Sequence, residues 1–85
     1  MDLTNDQKGR RAKEILEDAV FLEVIHSARE GILAQWNLTD FEQTEARESL
    51  YHQSRAIDEI LRGLRTLVAD WTLEQSRNRS KTGRK

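Results

Sequence analysis

The 85 residues contain no cysteine and no proline, and only five are aromatic. Without cysteine the chain has no disulfides to reinforce a small core and no thiolate zinc site. That absence also suits a reducing cytoplasm. Without proline nothing forces a break in a helix, because proline alone lacks the amide proton and clashes with the preceding turn. No apolar run approaches 18 residues, so no segment reads as a membrane span. The start, residues 1–11, lacks the basic cluster and apolar stretch of a signal peptide. Alternation of apolar and polar residues with a period of two is also missing, which leaves no strand signal.

What is present reads as helix around a thin core. Leu, Ile, Val and Phe make up 20 residues, about 24% of the chain, just above the level typical of disordered sequences. Thr4-Asn5-Asp6-Gln7 fits a capping box, in which hydroxyl and carboxamide each satisfy the other residue's backbone amide. Thr39 with Glu42 forms a second such pair, and Asp40 with Gln43 a weaker variant. Asp40, Glu42, Glu45 and Glu48 then place negative charge at the positive end of a helix dipole. The spacing predicts helix 1 over roughly 5–36, a turn near 37–40 and helix 2 over roughly 40–75. Thr44-Glu45 offers an alternative entry to the second helix. Residues 1–76 thus read as one all-α unit, a long antiparallel two-helix hairpin.

Helix 2 carries a heptad of Leu50, Ile57, Leu64 and Trp71, widened by Ile60, Leu61, Leu67 and Val68. Helix 1 carries two stripes, one of Ala12, Ile15, Leu16, Ala19, Leu22 and His26, the other of Phe21, Ile25, Ala28, Ile32 and Trp36. With the turn near residue 40, opposed positions sum to about 80, so Leu16 meets Leu64, Val20 meets Ile60, Leu22 lies near Ile57 and Gly9 lies near Trp71. The expected seam is Leu16, Val20, Leu22, Ile57, Ile60, Leu64, Leu67 and Trp71. That leaves Phe21, Ile25, Ala28, Ile32 and Trp36 as the expected partner interface. A rod of two such helices, each about 48 Å long, calls for completion to a four-helix bundle by dimerisation or by docking on a partner. Gly31 and Gly63 fall inside the helices, where they either allow close backbone approach or are simply tolerated.

Chemistry is sparse. Glu23-x-x-His26 has the i, i+3 spacing of a bundle metal ligand pair, but Ile57 and Asp58 rather than a glutamate stand opposite. Glu48 and His52 make a single pair without further ligands. No serine stands in a triad pattern and no glycine-rich loop follows a strand. The expectation is a non-enzymatic protein with no catalytic, metal or cofactor site. Charge is segregated: residues 1–76 hold nine basic and fifteen acidic residues, whereas residues 77–85 hold five basic and none acidic. This reads as a basic flexible tail. Arg77, Arg79, Lys81, Arg84 and Lys85 are its candidate nucleic-acid contacts, salt-sensitive and without sequence preference.

Arg10-Arg11-Ala12, Ile15-Leu16, Asp18, Phe21 and Glu23, then Trp36, then Thr44-Glu45-Ala46-Arg47-Glu48-x-Leu50-Tyr51 and Ala56-Ile57-Asp58-Glu59 form a pattern spanning roughly residues 8–70. It resembles small helical proteins encoded in the virion-assembly gene modules of tailed bacteriophages and prophages. The resemblance implies a phage structural, assembly or accessory protein. Such a protein is made in the bacterial host cytoplasm, can enter the virion, and pairs with itself or with a larger virion protein. A small nucleic-acid-associated or host-takeover protein using the basic tail is the alternative.

Overall fold

A computed structural model describes residues 3–83, and among them the chain is all-helical, with three helices and no strand. Helix α1 (Asn5–Glu17) opens as its sequence dictates. The Thr4 hydroxyl accepts the Gln7 amide at 3.1 Å, and the Gln7 side chain accepts the Thr4 amide at 2.9 Å.

The expected single first helix is divided. Asp18 adopts an extended conformation (φ −73°, ψ 123°), closing α1 through its amide to the Ile15 carbonyl. Its carboxylate accepts the Phe21 amide at 2.8 Å and so caps α2 (Ala19–Asn37). An aspartate can do both jobs because its short side chain replaces the backbone acceptor that the break removes.

The break re-phases the helix. On α1 the positions turned away from solvent are Asp6, Gly9, Ala12 and Leu16; on α2 they are Phe21, Ile25 and Ile32. Phe21 follows Leu16 by five residues, about 140° out of phase in an unbroken helix of 3.6 residues per turn. A continuous helix would have aimed Val20, Glu23 and Ser27 at the partner helix. The break at Asp18 lets one helix cover the start of the first stripe and the body of the second.

That partner is α3 (Thr44–Gly83), 40 residues long. It starts at Thr44 rather than at 40. The Thr39–Glu42 box does not form; Asp40 instead accepts the Glu42 amide on its side chain and the Gln43 amide on its carbonyl, while Gln43 reaches back to the Asp40 amide at 2.9 Å. At the other end α3 continues through residues 77–83, where the sequence reading placed a flexible tail. Arginine and lysine are good helix formers, and no strong stop precedes Gly83. Residues 84 and 85 lie outside the described residues.

Both shorter helices lie along α3 in the reverse direction, with Asp6 beside Trp71 and Arg29 beside Asp58. Among the described residues only Ala12, Leu50 and Leu61 form a fully buried apolar core. Ile57, Leu64, Leu67, Val68 and Trp71 are half-buried along α3. The molecule measures 66 × 25 × 23 Å with a radius of gyration of 18.5 Å, against about 12 Å for a compact chain of this length.

Candidate functional site

The two ends of the rod are fastened by different chemistry. At the open end Gly9 lies so close to α3 that a β-carbon there would stand 2.1 Å from Trp71 Cβ and 3.1 Å from the Leu67 carbonyl oxygen. The Trp71 indole donates to Asp6 at 2.8 Å, and Gln75 donates to the same carboxylate oxygen at 3.0 Å. Arg10 pairs with its other oxygen. At the turn Arg47 donates to the Thr39 hydroxyl at 2.8 Å and to the Thr39 carbonyl at 3.2 Å. Its guanidinium lies 4.7 Å from the centre of the Trp36 ring, and Thr39 in turn donates to the Trp36 carbonyl at 2.7 Å. These groups are satisfied by one another and serve the fold.

The expected partner interface is redistributed. Phe21, Ile25 and Ile32 are half-buried on the face that α2 turns toward α3, because the Asp18 break rotates them there. Ala28 is exposed beside them, and Trp36, 37% exposed, lies beneath Arg47. Conversely, three residues of the expected seam are displaced to the outside. Val20 is 67% exposed, Ile60 56%, and Leu22 is also open to solvent. Leu16, Ile57, Leu64, Leu67 and Trp71 do lie along the seam.

The ionisable groups form pairs rather than clusters. His26 stands 3.9 Å from Glu30 instead of sharing a site with Glu23, and His52 stands 3.7 Å from Glu48. Asp58 is bound to Arg29 at 2.9 Å. Among the described residues no three His, Cys, Asp or Glu side chains are grouped to hold a metal ion. No buried side-chain polar atom there lacks a hydrogen-bond partner. Of the tail cations, Arg77 and Arg79 are exposed on α3 and Lys81 lies within the same helix. Arg84 and Lys85 fall outside the described residues. No helix among the described residues is long and apolar enough to cross a membrane.

What remains is surface. Twelve large apolar side chains among the described residues are exposed, against two that are buried, Leu50 and Leu61. Several of them flank the α2–α3 seam, on two sides. On one side a groove of about 410 Å³ is floored by Ile32 and Leu50 and walled by Trp36, Tyr51 and Leu33, with Arg29 at its edge. On the other side run Val20, Val24 and Ile60, all exposed, with Glu23 and Glu59 one turn from the stripe's members. Sequence reading missed this second face because it placed Val20 and Ile60 in the seam. A usable signal was present: the i, i+4, i+7, i+11 series Val20, Val24, Ser27, Gly31 carries no charge in a chain where 34% of residues do. No protein-family model, no curated protein and no solved structure matches this chain.

Proposed function

We propose that this is a non-enzymatic interaction protein that works by packing helices against a partner, in the manner of a phage structural, assembly or accessory protein. One observation carries the reading: among the described residues twelve large apolar side chains are exposed, whereas Leu50 and Leu61 are the large ones fully buried. The accessible surface is 7051 Å², whereas a compact protein of 9.9 kDa exposes about 5,200 Å². An elongated shape accounts for part of the difference. Twelve large apolar side chains on the surface are costly unless something covers them. In this reading α1 and α2 against α3 form half of a four-helix bundle, completed by a second hairpin or by a larger virion protein. The virion role comes from the sequence resemblance, and the bacterial host cytoplasm is the corresponding site of synthesis.

The test is an epitope-tagged chain expressed in a phage-producing host and followed through a density gradient. Banding with particles or with assembly intermediates is the expected result. A chain that stays at the top of the gradient throughout particle production overturns the assembly role.

A further inference from the structure

We propose that the groove between α2 and α3 receives an amphipathic, acidic helix of another protein. Its apolar residues seat against Leu33, Trp36 and Tyr51, and its carboxylates meet Arg55 and Arg65. The proposal deepens the interaction reading by giving the partner's chemistry, and rests on it.

Two stripes wall the groove. On α3 Arg47, Tyr51, Arg55, Asp58, Arg62 and Arg65 follow at spacings of four, four, three, four and three, which keeps them on one side of the helix. On α2 Leu22, His26, Arg29, Leu33 and Trp36 follow at spacings of four, three, four and three. The Arg29–Asp58 ion pair, 2.9 Å long, puts both stripes on the same side of the seam and fixes their register. Counting outward from that pair sets Trp36 across from Tyr51 and Leu22 across from Arg65. Toward the turn the floor is apolar, made by Ile32 and Leu50. Beyond the pair the α3 stripe continues through a second depression bounded by Arg62, Arg65 and Ala69. From Arg47 to Arg65 the stripe runs about 27 Å, five turns of helix.

Charge identifies the occupant. The carboxylates nearest the groove are already engaged: Asp58 by Arg29, and Glu59 by Arg62 at 3.6 Å. Glu30 and Glu48, one turn from Leu33 and Tyr51, stand 3.9 Å from His26 and 3.7 Å from His52. Arg47 is taken up by Trp36 and Thr39. Arg55 and Arg65 are exposed, and no carboxylate among the described residues pairs with either. Two unanswered cations on one side are notable in a chain of net charge −1. A helix with an apolar stripe and acidic flanks answers both the cations and the apolar walls. An extended peptide fits less well, because both walls are helices whose backbone groups are bonded internally. A nucleic acid would meet the arginines but also Asp58 and Glu59, and would leave the apolar floor unmatched.

The test uses the full chain and labelled synthetic peptides of about 20 residues, read by fluorescence anisotropy. One peptide is a helix with leucines three and four apart and glutamates on both flanks; the other carries lysines in place of the glutamates. The acidic peptide should bind at least about 10-fold tighter than the basic one, against the sign of the chain's net charge. Arg55→Glu with Arg65→Glu should reverse that preference, and Leu33→Glu should weaken the acidic peptide by about 10-fold. These three side chains are exposed, so helicity by circular dichroism should be kept. Val24→Glu with Ile60→Glu, across the seam, should leave binding unchanged. An acidic peptide that fails to bind at about 200 µM overturns the proposal. So does binding that survives the arginine exchange, as it would if residues 77–85 carried it. Single-stranded DNA bound through Arg55 and Arg65 in the peptide's place, or self-association abolished by Leu33→Glu, overturns it as well. A chain that binds the acidic peptide but never bands with phage particles upholds the groove and overturns the assembly role. A chain that bands with particles but ignores the peptide overturns the acidic helix and leaves that role standing.

Discussion

Helices α1 and α2 lie against the same partner but are solved in opposite ways. α1 is polar apart from a narrow stripe, and the fully buried members of that stripe, Gly9 and Ala12, are small, so the α1 and α3 backbones approach until only glycine fits opposite Trp71. α2 is the more apolar helix, yet none of its residues is fully buried. Its large side chains Phe21, Ile25 and Ile32 hold the backbones apart, and much apolar surface stays outside. α1 thus uses its few apolar positions for contact with α3, whereas α2 leaves several of its own in solvent.

The largest effect should come from breaking the α1 side. Gly9→Ala forces a β-carbon into Trp71 and against the Leu67 carbonyl, neither of which can yield without moving a helix. It should cost about 3 kcal/mol, close to the whole stability expected of so small a core. A urea melt with an unchanged midpoint would refute the close approach. The turn end should be less sensitive. Arg47→Ala removes the contact with Trp36 and two hydrogen bonds to Thr39, at a cost of about 1–2 kcal/mol. Arg47→Lys should recover little, because an ammonium lacks the planar fork; recovery of the wild-type midpoint by lysine would show that charge alone suffices. The smallest effect has the opposite sign. Gly31→Ala should raise the stability of the dilute chain by about 1 kcal/mol by removing the helical penalty of glycine, since a β-carbon there meets no atom within 4 Å. A lower melting temperature under those conditions would mean that the site is crowded within one chain.

The contrast between the two ends also marks what could be read from the residues. The Thr4–Gln7 cap is chemistry between neighbours and is visible in four letters. The juxtaposition of Gly9 with Trp71 followed from counting outward from the turn, since helices of equal rise keep step over that distance. The rotation of α2 did not follow, because it depends on a single extended residue. Asp18 looks like an ordinary helix-surface aspartate, and its extended backbone with the Phe21 amide on its carboxylate is what reveals that the helix restarts there. Treated as unbroken, the first helix shows two stripes and one partner, which points to Phe21, Ile25 and Ile32 as surplus. Broken at Asp18, both stripes are used in turn, and the surplus moves to Val20 and Val24. The helical state of residues 77–83 was hidden for a different reason: a run of like charges predicts solvation, and a solvated segment attached to a long helix can simply extend it.

The fastenings at the two ends each contain an indole, and the chain has no other tryptophan. Trp71 is held by Asp6 near the start of α1, and Trp36 lies under Arg47 beside the turn. Along α3 the two anchoring positions, Arg47 and Trp71, are about 36 Å apart at 1.5 Å per residue. Each indole has a distinct quenching environment, one a carboxylate acceptor in its plane, the other a cation over its face. The protein therefore carries its own pair of optical probes, one for each half of the rod. Replacing either tryptophan with phenylalanine leaves a spectrum that reports whether α1 or the turn lets go first.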